Sequence, residues 1–359
     1  IINEYRGFDV IIGNPPYVEY NKKIQGIAIS DLYKLVGYKT ISCGNLYAYI
    51  LERSKKIMKQ ESFISMIVPL SGHSTERMAP LVTNFYEKFG LHLHLNLSAD
   101  ANPQKLFEGV KFRLGIFIAT DTGKGRYSTK YTRWLADERK ILFNALVRYN
   151  SIEDYTYQNI IPKIASPLFV SIAKKINTEK TQYFIGVGNL QCLYHNAPVN
   201  WIRSHTFVPY FCSERDGEGI TTQLKSVSFD NGKQVKVGSC ILNSSLFFIW
   251  WITNSDCYHL NKPEIVNFKY QYDKGVEKEI CSVADRLAKD MKKKSIRRVY
   301  NYKTTGRVEY DEFYMKLSKP IIDEIDKVLA RHYGFTEEEL DFIINYDIKY
   351  RMGDELNEE

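Results

Sequence analysis

The six cysteines of this chain include no Cys-x-x-Cys pair, and no cluster of histidines stands near them. That excludes a zinc ribbon and a thioredoxin-like pair, and scattered thiols of this kind read as the reduced cysteines of a cytoplasmic protein. Long apolar runs are also lacking. The longest candidate, Cys240–Thr253, carries Asn243 and two serines and falls short of the roughly 20 residues that span a bilayer. No segment reads as a signal peptide. No internal repeat or low-complexity tract is present, which sets aside solenoids and disordered tails. Strong charge imbalance is missing too. A net charge of +7 is a mild lean toward anionic partners.

What remains is an ordinary globular composition with many aromatics. The 359 residues are 44% hydrophobic and 25% charged, enough for two domains with substantial cores. Aromatic content is 14%, with 26 tyrosines.

The first part alternates strand and helix. DVIIG, after Phe8, reads as a buried strand that two prolines stop at its carboxyl end, where open α/β sheets hold their ligands. Asn45 is a helix cap before Leu46, Ile50 and Ile57. Phe63–Val68 is a second strand, ended by Pro69. Met78, Val82, Phe85 and Phe89 carry a helical period closed by Gly90. His92–Leu97 and Arg113–Ala119 are further strands. This alternation predicts an open parallel sheet of the doubly wound, Rossmann-like α/β class.

From Asp121 the texture changes, with Gly123, Gly125, Ser128 and Thr129 forming a turn-rich stretch. The expected boundaries are therefore 1–125, 126–310 and 311–359: an α/β domain, a mixed α+β domain and a helical C-terminal segment. In that last segment Ser318 and Pro320 open a helix that Gly334 closes. Thr336 to Glu339 is a capping box for another. The end of the chain is acidic.

The loop after the first strand, Asn14-Pro15-Pro16-Tyr17, is the candidate catalytic segment. An exocyclic aromatic amine is a poor nucleophile, because its lone pair is delocalised into the ring. Two acceptors that hold its hydrogens favour a pyramidal nitrogen. The Asn14 side-chain oxygen can be one and the Pro15 carbonyl the other, on a backbone that the prolines stiffen. Tyr17 offers a flat face for an extruded base. The plainer reading is a Pro-Pro turn with Tyr17 in the core.

GFDVIIGNPPYV resembles the catalytic motif of the N6-adenine DNA methyltransferases of restriction–modification systems. GNLYAYILERSKKIMK, SFISMIVPLSG and LFEGVKFRLGIFIAT are similar to the elements that follow that motif. LNSSLFFIWWITNSDCYHLNK is similar to part of the family's target recognition domain. SKPIIDEIDKVLARHYGFTEEELDFIINYDIKYRMG resembles the C-terminal segment of the larger type II and IIG members. The resemblance implies methyl transfer from S-adenosylmethionine to a flipped adenine in double-stranded DNA. It implies that Asn14 and Pro15, with Pro16 behind them, orient the amine, and that Tyr17 stacks on the base. Phe107 matches the aromatic that flanks the base from the other side, with Phe112 as the alternative; a core Phe at a strand entry is the competing role.

The family's glycine-rich cofactor loop and acidic ribose-binding residue have no counterpart here. Gly186-Val187-Gly188 and Gly217-Glu218-Gly219 do not follow a long buried strand or open a helix. The expectation is thus the downstream part of such an enzyme, inactive without its upstream half. That half is an expected partner. No membrane partner and no bound metal are expected.

The stretch Arg286–Arg307 is the candidate DNA contact. Its cations are Arg286, Lys289, Lys292, Lys293, Lys294, Arg297, Arg298, Lys303 and Arg307, opposed in sequence only by Asp290, with Tyr300 and Tyr302 interleaved. Such groups neutralise phosphates, although a solvated surface would look the same. His73 and His205, each isolated, read as surface or hydrogen-bonded core histidines and not as catalysts, and Trp250 and Trp251 as core residues. Two other readings stay open: a non-catalytic DNA-binding specificity module, and a methyltransferase for glutamine side chains in proteins.

Overall fold

Phe8–Gly13 forms β1, a strand as the apolar run predicts, but an exposed outer one and not the buried strand expected, because among the described residues it has a neighbour on one side only. It opens a six-stranded sheet in the computed structural model, which describes residues 6–99, 106–107, 110 and 112–353. After β1 come helix α1 (Leu46–Lys56), β2 (Met58–Pro69), the short helix α2 (Ala79–Asn84), β3 (Leu91–Leu97), β4 (Leu114–Thr120), β5 (Gly125–Thr132) and β6 (Tyr149–Ser151). The strand order is β1-β2-β4-β3-β5-β6.

The sheet is mixed, which corrects the expected parallel one. β1 and β2 run parallel, as do β3 and β5. β4 is antiparallel to both of its neighbours, β2 and β3. Apolar alternation identifies a strand but not its direction. β4 returns between β2 and β3, and no helix among the described residues joins β3 to β4. A parallel neighbour would need such a crossover.

The two faces of this sheet differ. Ile64, Met66, Val68, Phe117 and Ala119 are buried on one side, with His92, His94 and Asn96 of β3. Phe85 and Tyr86 pack edge-on against Phe117 there. On the other side Val10, Ile12, Phe63 and Ile118 are exposed, Ile12 by 79%. Among the described residues β1 pairs with β2 alone. It is an outer strand with one free edge.

The expected helix over Met78–Phe89 is broken. Its four marker residues are all buried, but only Ala79–Asn84 is α-helical, with single turns of tighter helix on either side. Thr83 and Asn84 bond back to the carbonyls of Ala79 and Pro80, and Phe85 leaves helical geometry.

The chain divides into two compact units. The first runs to Val170 and includes Ile252–Asp256; the second is Ser171–Trp251 with Cys257 onward. The turn-rich stretch near Gly123 is therefore a connection inside the sheet, because β5 and β6 continue it. The helical C-terminal segment likewise belongs to the second unit and is not a body of its own.

In the second unit, after helix α3 (Pro167–Thr178), β7 (Leu190–His195), β8 (Ser204–His205) and β11 (Leu224–Phe229) make a three-stranded antiparallel sheet. β9 (Phe211–Ser213), β10 (Gly217–Glu218), β12 (Ile296–Tyr302) and β13 (Gly306–Glu312) make a four-stranded one. Helices α4 (Gly232–Asn243), α5 (Ser245–Asn254), α6 (Lys274–Lys294), α7 (Lys319–Tyr333) and α8 (Glu337–Asn345) complete it.

The apolar run at Cys240–Thr253 is the α4–α5 pair, bent by 63°. Trp250 and Trp251 are buried and donate to the carbonyls of Glu264 and His259. No single described helix is long and apolar enough to cross a membrane. The caps sit where expected. Asn45 accepts from the Tyr47 amide, Gly334 closes α7 at φ +66°, and Thr336 and Glu339 form the capping box of α8. The acidic residues 354–359 lie outside the described residues.

Candidate active site

β1 delivers Asn14 to the carboxyl end of the sheet. Asn14 and Pro16 are exposed, Pro15 is buried and Tyr17 is half-buried. The Tyr17 hydroxyl lies 2.8 Å from the Asn14 side-chain oxygen and 2.9 Å from the Ile67 carbonyl. Burial pushes its pKa up to about 12, so it stays a neutral donor at physiological pH. It has one hydrogen for two acceptors. The Asn14 oxygen keeps at least one lone pair open, and among the described residues nothing donates to the Pro15 carbonyl. Two acceptors are thus available side by side in sequence on a proline-stiffened loop.

The Tyr17 ring meets Tyr47 edge-on at 6.2 Å and Phe112 at 5.8 Å. It also packs on the cluster of Leu95, Leu97, Leu114 and Trp134. Phe112, the alternative flanking aromatic, is therefore the one placed against Tyr17. Phe107 is half exposed and has no ring partner among the described residues. Its neighbours Lys105, Glu108 and Gly109 lie outside them.

The loop is tied down at its exit. The Leu46 amide donates to the Val18 carbonyl at 2.9 Å, and the Tyr20 amide to Gly44 at 2.9 Å. The Glu19 carboxylate receives Arg77 at 2.5 Å and the Asn45 amide at 3.3 Å. Burial pushes Glu19 up, but these hydrogen bonds outweigh it and hold the carboxyl below the usual range. Gly44 has φ +68°, a conformation that favours glycine, and an added Cβ would lie 2.4 Å from the Arg77 guanidinium and displace it from Glu19. Glu19, Arg77 and Tyr47 were missed from the sequence. An isolated Glu or Arg carries no local signal; only the fold joins positions 19, 45 and 77.

Beneath the sheet lies a buried polar row. His73 bonds the Asn96 oxygen at 2.9 Å, and His94 bonds His92 at 3.0 Å. Burial pushes His73 down to about 3 and His92 to about 4. Gly115 leaves the room, since a Cβ there would lie 2.6 Å from the His73 ring. His73 is the hydrogen-bonded core histidine expected; His205 is also buried, but neither of its ring nitrogens has a hydrogen-bond partner among the described residues.

The basic stretch does not form one free surface. Arg286 pairs with Glu324, Lys294 with Asp290, Arg297 with Asp311, Arg298 with Glu312 and Arg307 with Glu309. Lys292 sits 4.2 Å over the Phe207 ring. Lys289, Lys293 and Lys303 are exposed and have no ion-pair partner among the described residues. Apart from Asp290, the opposing carboxylates come from α7 and β13, invisible when only Arg286–Arg307 is read. Among the described residues no group of three metal-ligating side chains converges.

A family model described as Eco57I restriction-modification methylase matches residues 2–107. No curated protein matches the chain. Among solved structures, the type IIL restriction-modification enzyme MmeI in complex with DNA is similar at 11% identity and TM-score 0.46, over 95% of this chain and 57% of that one. The type IIG restriction endonuclease BpuSI is similar at 10% identity and TM-score 0.30, over 94% of this chain and 54% of that one. The DrdV–DNA complex is similar at 12% identity and TM-score 0.34, over 55% and 23%. The chain thus spans between about a quarter and somewhat over half the length of these proteins.

Proposed function

We propose that this chain carries the methyl-accepting side of a DNA adenine-N6 methyltransferase from a restriction–modification system. The observation that carries this reading is the pair of available acceptors, the Asn14 side-chain oxygen and the Pro15 carbonyl. They lie on a sheet-end loop inside the segment that matches the methylase family. An adenine extruded from the duplex donates its two amino hydrogens to them. The amine nitrogen is thereby drawn toward a tetrahedral geometry, with its lone pair turned to the methyl donor. Tyr17 and Phe112 supply apolar aromatic surface for the base.

The family match implies S-adenosylmethionine as donor. The described residues form no glycine-rich cradle for it. Gly186–Gly188 lie in the turn before β7 and Gly217 opens β10, so neither glycine pair opens a helix. The uncovered sheet face and free edge at β1 support an upstream cofactor-binding half of the same protein as the partner that packs there.

Transfer of labelled methyl from S-adenosylmethionine to DNA tests the reading, with the chain alone and joined to an upstream cofactor-binding half. Label on adenine N6 that Asn14→Ala abolishes supports it. Label on cytosine or on a protein glutamine, or an unaffected Asn14→Ala, overturns it. DNA binding with no transfer from the joined protein would favour a pure specificity module.

A further inference from the structure

The second unit holds a cavity of about 370 Å³, within the size range of small-molecule sites. On one side are His195 of β7, Leu224 of β11 and Arg203, just before β8. Leu224 is the register partner of His195, and the His195 amide bonds the Arg203 carbonyl at 3.0 Å, so the three lie in one cross-strand row. On the other side are Phe211 of β9, Tyr302 of β12 and Tyr310 of β13. Thr221, Gln223, Thr304 and Thr305 add hydrogen-bonding groups.

The charge inside is unbalanced. Arg203 has no side-chain hydrogen bond or ion pair among the described residues, and burial holds its pKa below the ordinary guanidinium value. The lining carboxylates are spoken for. Asp311 bonds Arg297 at 2.6 Å, and Glu312 bonds Arg298 at 2.8 Å and also Tyr314. The His195 Nδ1 is buried without a partner, and its pKa is pushed down to about 3 by burial and by Arg203. The imidazole is therefore neutral and adds no competing charge. The carboxylate that acts on Arg203, Glu312, is shared with Arg298 and Tyr314, so the largely desolvated cation is under-compensated, which is costly, and a planar fork of five donors suits a phosphate. Tyr302 is half exposed, and Tyr310 is already stacked on Tyr300 at 6.0 Å with 17° between the rings. Flat aromatic walls beside a lone guanidinium match a ring that carries an anion.

We propose that this cavity binds one nucleotide unit, with its phosphate on Arg203 and its base against Tyr302 and Tyr310. The source is either a free mononucleotide or a single nucleotide of a DNA strand. The second source rests on the DNA reading above; the first does not.

The test is calorimetric titration of the chain and its variants Arg203→Gln and Tyr302→Ala. The probes are the four deoxynucleoside 5′-monophosphates, their nucleosides, inorganic phosphate and a DNA duplex. Thermal melts confirm that each variant is folded, and Tyr302→Ala decides alone if Arg203→Gln is not. Support for the free source is a monophosphate that binds at least about tenfold tighter than its nucleoside and than phosphate, with a loss of about tenfold in each variant. Support for the DNA source is a similar loss confined to the duplex. Phosphate binding as tightly as every monophosphate overturns the proposal. So does the absence of monophosphate binding together with wild-type duplex affinity in both variants, an outcome that leaves the DNA reading intact. If neither duplex nor monophosphate binds, both readings fall.

Discussion

The Tyr17 hydroxyl lies 2.8 Å from the Asn14 side-chain oxygen, so the aromatic residue of the loop holds the asparagine that opens it. The same hydroxyl reaches the Ile67 carbonyl at 2.9 Å. One hydrogen serves two acceptors, and the loop can trade one bond for the other without losing either ring contact.

On the proposed reading Asn14→Ala removes an acceptor that acts in the transition state, so methyl transfer by the chain joined to a cofactor-binding half is expected to fall about 100-fold or more. Tyr17→Phe keeps the ring and is expected to stay within about tenfold of wild type. Tyr17→Ala removes a stacking surface of about 1–3 kcal/mol. Single-turnover rates on an adenine-containing duplex check the order; a Tyr17→Phe enzyme as impaired as Asn14→Ala contradicts it.

Arg77→Ala separates loop placement from stability. The pair with Glu19 is about half exposed, so its loss is expected to cost no more than about 1 kcal/mol in urea denaturation. The loop exit is loosened all the same, and a small displacement of reacting groups is worth a large rate factor, on the order of 100-fold at the extreme. Unchanged single-turnover rates would show that Glu19 and Arg77 do not hold the loop.

Neighbouring isoleucines on the two sheet faces are expected to respond differently. Ile64 is fully buried and Ile12 is 79% exposed. Ile64→Ala is expected to cost about 2–5 kcal/mol, and Ile12→Thr about 0.5 kcal/mol or less in this chain. Chemical denaturation measures both, and a large loss at Ile12 would mean that its face is covered in solution.

Asp326 gives a pH signature. It is fully buried and caps α5, accepting from the amides of Ser245 and Leu246 at 3.2 and 3.1 Å. Burial outweighs those bonds and raises its pKa to about 6. The folded state then holds a proton that the unfolded chain releases near pH 4. Stability from this group is present below pH 4 and is lost as pH rises through 6, by about 3 kcal/mol. Asp326→Asn carries no such loss. Its melting temperature relative to wild type is expected to rise between pH 4 and pH 7, and a constant difference would contradict the assignment.

Salt dependence sorts the basic stretch. Lys293 and Lys303 have no carboxylate partner, whereas Arg297 and Arg298 are neutralised at 2.6 and 2.8 Å. If the free lysines meet phosphates, replacing both with Ala lowers the slope of log K against log salt by about 2. Arg297→Ala is expected to change it less. Equal changes from both variants would show that the hairpin arginines leave their partners on DNA.

The sequence revealed local features and hid pairwise ones. Asn45, Gly334 and the Thr336–Glu339 box were legible because a cap depends on a few adjacent residues. DVIIG and FISMIV were legible as strands through their apolar runs. The antiparallel course of β4 was not, because alternation carries no direction. Phe112 rather than Phe107 has its ring against Tyr17, because the fold, not the sequence, decides which of two nearby aromatics meets the loop. The pairing of Arg297 and Arg298 came from β13, which directly follows the segment read as basic.

The unequal fastening of the Asn14–Tyr17 loop has a thermodynamic consequence. Its exit is held by Glu19, Arg77 and Leu46, while its entry hangs from β1, a strand with one ladder and an uncovered face. A second strand added to the free edge would restrict that entry, and a base seated on the loop would restrict the same residues from the other end. Two ligands that order one segment share a coupling free energy, and that coupling is reciprocal. If the loop seats a base as proposed, whatever tightens the sheet at β1 raises affinity for the base, and the base in turn grips the sheet.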